Sequence, residues 1–413
     1  MLKEDTQLYT TDLVSISQEE NEEPPGRSTL FGVLILLLNT TIGSGTLLIP
    51  YCYKCGLALC ITTSFALGVI SLWSLWMLID CARETKARDY SHLFTITFGR
   101  KYNWIMNIWI TLCLFGTVII YVLWIGRLVK HLVPLKGKPW DVPAFWNFLC
   151  AIVLIYPLTI FKSLKHLESW SGIAVFFILW LIVFSLYWLI KGIHDEGFTP
   201  EKIVYFKIGK IFISTFGIMS MAYDCHCNIF QSLRILKDPY PYRGKLLSGL
   251  VVLISFILYN AFGIFAYLHL FDKLGAGAAL EYYPLDNWFT KVTIFGVIVI
   301  LILGGPMMVF PTRYAILDML YGNKEVSTLT WNVTGALITL LATACACISN
   351  NIVFFFDLVG GLLTPGFVFT MPCVFYLKNV TEKRWYNIVI CVIVIIISVA
   401  ATIACTYNVV TGN

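Results

Sequence analysis

The sequence predicts an all-α, polytopic membrane protein with eleven spans. Of its 413 residues, 58% are hydrophobic and only 13% charged, with a mean hydropathy of +0.78. Soluble domains carry about 25% charged residues. Apolar runs long enough to cross a bilayer, about 20 residues each, recur along the whole chain. Two of them, the first and the sixth, are broken in the middle by polar residues and glycine.

Residues 1–27 are acidic and lack an apolar core of signal-peptide length. They read as a disordered tail rather than a cleaved leader. Residues 28–410 are then a single membrane domain. The runs fall at about 30–50, 57–81, 104–129, 143–161, 171–191, 209–236, 246–270, 288–312, 329–348, 352–377 and 386–407, with boundaries good to a few residues. Span count and break positions suggest two halves, about 30–191 and 209–377, followed by an extra helix at about 386–407.

With a cytoplasmic N-terminus, the cytoplasmic segments hold 18 of the 29 basic residues, including Arg83, Lys86, Arg88, Arg234, Lys237 and Lys245. The bias favours that orientation. Asp80 is expected to snorkel beside Arg83, and Asp357 to be a cap or interfacial residue at a helix end, the other reading being that it lines a vestibule or pairs with a neighbour. A net charge of +5 marks no nucleic-acid surface; the lipid bilayer is the expected surrounding, around a monomer. Most of the thirteen cysteines lie in apolar runs and read as inert thiols. Cys52 and Cys55 form a CxxC with no second pair at zinc spacing, so no metal is expected.

Span one reads Asn39-Thr-Thr-Ile-Gly-Ser-Gly-Thr-Leu-Leu-Ile-Pro50. A helix broken at the bilayer midplane leaves amides and carbonyls unpaired, which is tolerated only in a protein interior or along a cavity. Span six carries Ala222-Tyr-Asp-Cys-His226 at its centre. Intramembrane acids and histidines are expensive and point to function. Corresponding breaks in two halves are the sequence mark of a transporter binding site.

A half-helix starting near Ser44 presents amides and a positive dipole end to a carboxylate, with Gly43 and Gly45 permitting close approach. The first half of span six ends near Ala222 and Tyr223, and its carbonyls suit an ammonium. One site with both poles matches an α-amino acid zwitterion. The expected substrate residues are Thr41, Ile42, Gly43, Ser44, Gly45, Ala222, Tyr223 and Asp224. Asp224 is either an ammonium or proton partner or the cap of the second half-helix. His226 has a suitable range for proton coupling.

At these residues the chain resembles the amino acid/auxin permease family, and within it the neutral amino acid transporters. Asn39-Thr-Thr-Ile-Gly-Ser-Gly-Thr-Leu47 is similar to the family's Asn-x-x-x-Gly-Ser-Gly-Ile-Leu. Ala222-Tyr-Asp-Cys-His-Cys-Asn228 is similar to Ala-Phe-x-Cys-His-Pro-Glu/Asn. Weaker matches follow at Phe115–Tyr121, Tyr156–Leu158, Phe310-Pro-Thr-Arg313, Leu358–Gly361 and Met371-Pro372. The resemblance implies the LeuT-like fold, a 5+5 inverted repeat with broken helices one and six, and secondary transport of amino acids by alternating access. An enzyme is not expected. The competing reading is a membrane amino acid sensor signalling through its cytoplasmic face.

The chain departs from the pattern in span eight. Sodium-coupled relatives place Thr-Val-Pro where this chain has Gly304-Gly305-Pro306. A hydroxyl ligand is thus missing from a site where a hard cation wants oxygens. Asn39, Asp224, His226 and Gly304 are the candidate ion-coupling residues, with H+ or uncoupled exchange favoured over Na+. Gly304 and Gly305 are expected to leave room for a bulkier substrate, and Phe115, Gly116, Met219 and Leu303 to face it. Proton coupling fits a plasma membrane or an acidic organelle.

Overall fold

The computed structural model describes residues 28–133, 138, 140–160, 165–239, 242–322, 326–349 and 351–411. The N-terminal tail lies outside the described residues. The order is α1 (Leu30–Thr41), α2 (Ser44–Cys55), α3 (Leu57–Thr85), α4 (Tyr90–Phe98), α5 (Asn103–Leu132), α6 (Pro143–Thr159) and α7 (Lys165–Glu196). Then follow α8 (Lys210–Ala222), α9 (His226–Ile235), α10 (Tyr242–Leu270), α11 (Trp288–Tyr321), α12 (Thr328–Ile348), α13 (Ile352–Asn379) and α14 (Trp385–Val410).

Among the described residues, eight helices are long and apolar enough to cross a membrane, and α1 with α2 makes a ninth span bent by 48°. This is an integral, multi-pass membrane protein. The expected eleven is reached when the shorter apolar α6 and the interrupted pair α8–α9 each count as a span.

Local chemistry sets the helix ends. Thr29 caps α1 by accepting from the Gly32 amide at 3.2 Å. Asp89, Asn287, Ser327 and Asn351 do the same for α4, α11, α12 and α13, each satisfying an amide that has no partner within its helix. Pro306 and Pro311 sit inside α11 without ending it, as membrane helices permit where neighbours re-satisfy the freed carbonyls.

The centre of the bundle is the α5–α11 pair, the largest helix interface in the chain. The spanning stretch of α11 is 78% buried against protein, whereas that of α14 is 22% buried. So α11 is a core helix and α14 a peripheral one, hydrophobic toward lipid.

Three single residues with expected roles find their partners here. The Asp80 carboxylate, expected to snorkel beside Arg83, has its ion-pair partner in Lys245 on α10 at 2.8 Å, while Arg83 turns to Glu84 at 3.2 Å. Asp357 is not a helix cap, a role that Asn351 fills. It is buried within a π-helical stretch of α13, Asp357–Leu363. Gly116 packs against Val359 of α13.

Candidate functional site

The polar residues at the first break are turned toward their own backbone. The hydroxyls of Thr40 and Thr41 donate to the Leu37 carbonyl at 2.8 and 2.7 Å, and the Ile42 amide donates to the Leu38 carbonyl at 2.8 Å. Thr41 therefore offers its carbonyl rather than its hydroxyl. The chain restarts as a tight turn over Ser44–Leu48 after Gly43, which has φ −104° and ψ −135°.

The second break spans Tyr223, Asp224 and Cys225. The Asp224 carboxylate accepts from the His226 amide at 3.0 Å. It does the work of a cap side chain for α9, while its flank lies 3.3 Å from His226 Nδ1. His226 is fully buried, and its Nε2 lies 2.7 Å from Ser74 Oγ on α3.

The two breaks touch. A Cβ built on Gly45 would lie 3.1 Å from the Cβ of Ala222. A side chain at position 45 would have to push the end of α8 back by a few tenths of an ångström. Tyr259 of α10 spans the junction: its hydroxyl is 2.8 Å from the Thr41 carbonyl and 2.7 Å from the Ala222 carbonyl. One O–H serves the C-terminal ends of both half-helices. Each carbonyl keeps a second lone pair for another donor.

A further chain of bonds fixes the second break from α3. Ser71 Oγ donates to the Tyr223 carbonyl at 3.1 Å, and Ser64 Oγ is 2.9 Å from the Tyr223 hydroxyl. Asn260 on α10 donates to Ser64 at 3.1 Å and accepts from Tyr53 of α2 at 2.7 Å. Ser64, Ser71 and Ser74 recur at helical spacing on one face of an otherwise apolar span. That stripe and the mid-span Asn260 were the sequence signals that could have disclosed them.

Tyr121 of α5 closes the other side. Its hydroxyl occupies the space a Cβ would need on Gly43. Its ring also fills the space beside Gly304, where a Cβ would lie 2.7 Å from Cε1. The room expected at Gly304 is taken by this ring. Gly305 faces Ile155 of α6 at 3.4 Å and opens nothing toward the break.

The four expected ion-coupling residues fall in two places. Asn39 donates to Met307 Sδ at 3.6 Å, on α11 three residues past Gly304. Asp224 turns instead to the His226 amide of α9, and His226 to Ser74 of α3. Among the described residues no group of three or more His, Cys, Asp or Glu side chains could hold a metal ion. A cavity of about 250 Å³ lined by Trp188, Lys191, Asp195, Glu196, His269 and Asp286 lies elsewhere and shares no residue with the breaks.

Comparison with known proteins bears on this geometry. The chain is 24% identical to the sodium-coupled neutral amino acid symporter 2 of Danio rerio, covering 89% of this chain and 79% of that protein. The crystal structure of MhsT in complex with L-phenylalanine superposes with a TM-score of 0.59 at 12% identity, over 94% of this chain and 100% of that one. A sodium-coupled sialic acid symporter in a substrate-bound, outward-open state gives 0.58 at 12% identity, over 96% and 94%. At this identity the two structures establish the fold, and it is the LeuT-like fold expected. The relatives are transporters, not enzymes. The model for the transmembrane amino acid transporter protein family matches residues 26–411. A match of that length covers both breaks and nearly every span, and so the chain belongs to the transmembrane amino acid transporter family.

Proposed function

We propose that this protein is a secondary transporter of α-amino acids that works by alternating access, with the zwitterion held where the breaks of α1–α2 and α8–α9 meet. The observation that carries the reading is the Gly45–Ala222 contact, with Tyr259 bridging the Thr41 and Ala222 carbonyls. It sets the amide-bearing start of one half-helix against the carbonyl-bearing end of another. These are the two dipole poles that an amino acid's carboxylate and ammonium require.

Thr41, Ile42, Gly43, Ser44, Gly45, Ala222 and Tyr223 supply backbone groups in this reading, and Asp224 caps α9 at its edge. The Tyr121 hydroxyl, which lies beside Gly43 at the start of α2, adds a carboxylate donor in this reading. Eleven spans, a cytoplasmic N-terminus and a monomer complete the proposal, in a plasma membrane or an acidic organelle membrane.

Proton coupling or uncoupled exchange is the better reading of the driving force. The Danio relative is named for sodium coupling, and Asn39 keeps its place against α11. Yet position 304 carries no hydroxyl, and the Tyr121 ring fills the space beside it. A hard cation there would lack an oxygen that its coordination shell wants.

Flux of labelled amino acids into proteoliposomes tests the proposal. Amino acids should compete, while amines lacking a carboxylate and acids lacking an amine should not. Equal competition by simple amines would refute the zwitterion site. Loss of uptake when choline replaces sodium at constant pH would refute the coupling.

A further inference from the structure

Asp357 stands apart from the substrate site, and its link to uptake drawn below rests on the transport reading proposed above. It lies at 4% exposure inside the membrane domain. Its Oδ2 accepts from Ser214 Oγ on α8 at 2.9 Å and from Asn408 Nδ2 on α14 at 3.4 Å. Asn408 also donates to the Ser214 oxygen at 3.3 Å, closing a triangle of three buried side chains. The other oxygen, Oδ1, is buried and has no hydrogen-bond partner among the described residues.

An ionised carboxylate in such a place leaves a charged oxygen without a donor in a low-dielectric interior. That state costs enough that the group neutralises instead. The titratable groups interacting with it are Tyr51 and Cys52 on α2 and Cys405 on α14; none is a cation. On the α5 side the same π turn meets Gly116, through Val359. No counter-charge is available among these neighbours.

We infer that Asp357 is a proton-binding site: in the arrangement seen here Oδ1 carries a proton, taken from water at the end of the bundle where α8 and α13 begin and returned there when the α8–α13 seam opens. A metal cation fits poorly. Oδ2 already faces two N–H or O–H donors, and one remaining oxygen is far short of the shell a hard cation needs.

The seam explains how the proton is felt at the substrate site. Gly217 of α8 packs on Gly361 of α13, where a Cβ would lie 3.0 Å from the Gly361 amide nitrogen. Ser214 is one turn before that contact, and Ala222 is the last residue of the same helix. Asp357 thus holds one end of the rigid element whose other end forms the ammonium pole. Neutralising the carboxylate favours the closed seam; ionising it favours separation and hydration. Two positions of one packed helix are the kind of element that couples distant sites.

The test uses the full chain in proteoliposomes, with Asp357→Asn and Ser214→Ala. Infrared difference spectra between wild type and Asp357→Asn should contain a protonated-carboxyl C=O band that titrates with external pH. Amino acid uptake by Asp357→Asn should lose most of its pH dependence while counterflow exchange persists. Absence of the band, or an unchanged pH profile in Asp357→Asn, overturns the inference, as does a selective loss of sodium dependence. Should Asp357→Asn fail to reach the membrane, Ser214→Ala keeps the carboxyl and decides: a displaced titration midpoint supports the site, and an unmoved one refutes it. A wild-type chain that shows the band but moves no amino acid fails the proposed function and leaves the proton site standing.

Discussion

The ring of Tyr121 fills the space that Gly304 leaves open: a Cβ on Gly304 would stand 2.7 Å from Tyr121 Cε1 and 2.9 Å from its hydroxyl oxygen. The residue that departs from the sodium-coupled pattern is therefore matched by a large side chain from the facing helix. Restoring a threonine there does not simply restore a ligand. It forces Tyr121 off Gly43. Gly304→Thr is expected to lower uptake at least about tenfold, the order of one displaced buried contact, without creating sodium dependence. Uptake in sodium and in choline buffers checks this. Sodium-stimulated uptake in the variant would show that the ring yields.

Removing the Tyr121 hydroxyl alone should be milder. Tyr121→Phe keeps the ring against Gly304 and removes only the hydroxyl beside Gly43 that the proposed site offers to the carboxylate. A hydrogen bond to a charged substrate group is worth about 1.5–3 kcal/mol. KM is therefore expected to rise by about ten- to a hundredfold, with the unfolding temperature in detergent little changed.

Tyr259→Phe strikes the junction itself. One hydroxyl lies within 2.8 Å of both the Thr41 and Ala222 carbonyls, and both are buried. Leaving them without this donor should destabilise the fold by about 1–3 kcal/mol. Because the two half-helices lose their shared tie, the transport rate should fall as well. Thermal unfolding and uptake measured on the same preparation separate the two effects.

At the end of the bundle where α1 starts, two backbone hydrogen bonds tie it to the segment after α9. The Ser28 amide donates to the Ile235 carbonyl at 3.0 Å, and the Lys237 amide donates to the Ser28 carbonyl at 3.2 Å. This joins the start of α1 to the end of α9, one half-helix from each break. Ser28→Pro removes the first donor and keeps the acceptor. Cysteines introduced nearby should then label faster with a membrane-impermeant thiol reagent. Unchanged labelling would mean the bridge does not restrain that end.

His92 lies in α4, outside the spanning helices, and gives a pH prediction with a definite sign. Burial holds its imidazole below the usual histidine range; Arg88 adds to this and Asp89 opposes it. The Nδ1 accepts from the Arg88 amide at 3.1 Å, which requires a neutral ring. The folded state thus binds fewer protons than the unfolded one. The contribution to stability is present above the unfolded value of 6.5 and is lost as pH falls through the folded one. Amide-exchange protection factors at residues 86–92, which divide out the intrinsic pH dependence of exchange, should fall at acidic pH in wild type, and His92→Gln should remove that dependence.

The breaks were legible because they violate a rule that holds along every span. Gly43, Gly45 and Asp224 are conspicuous where lipid-facing helices tolerate neither broken backbone nor charge. The partners that hold the breaks were not legible. Tyr121 and Tyr259 are ordinary aromatic residues in apolar helices, and nothing in their own segments says that their hydroxyls end at another helix's carbonyl or glycine. Gly304 misled for the same reason. A glycine in a sequence reads as vacant space, while in the bundle its vacancy belongs to the neighbour that fills it.

By itself the sequence determined that the chain lives in a membrane, that it crosses many times, that helices one and six are interrupted, and that an amino acid is the expected cargo. Those conclusions follow from hydropathy and from unsatisfied backbone, which are properties of a segment and its solvent. Only the tertiary structure decided which groups meet: that Tyr259 joins both breaks, that Asp224 turns to α9 and His226 to Ser74, and that Asp357 is buried with one oxygen alone. These depend on which face of each helix meets which neighbour. Close packing between helices fixes that, and no single segment encodes it.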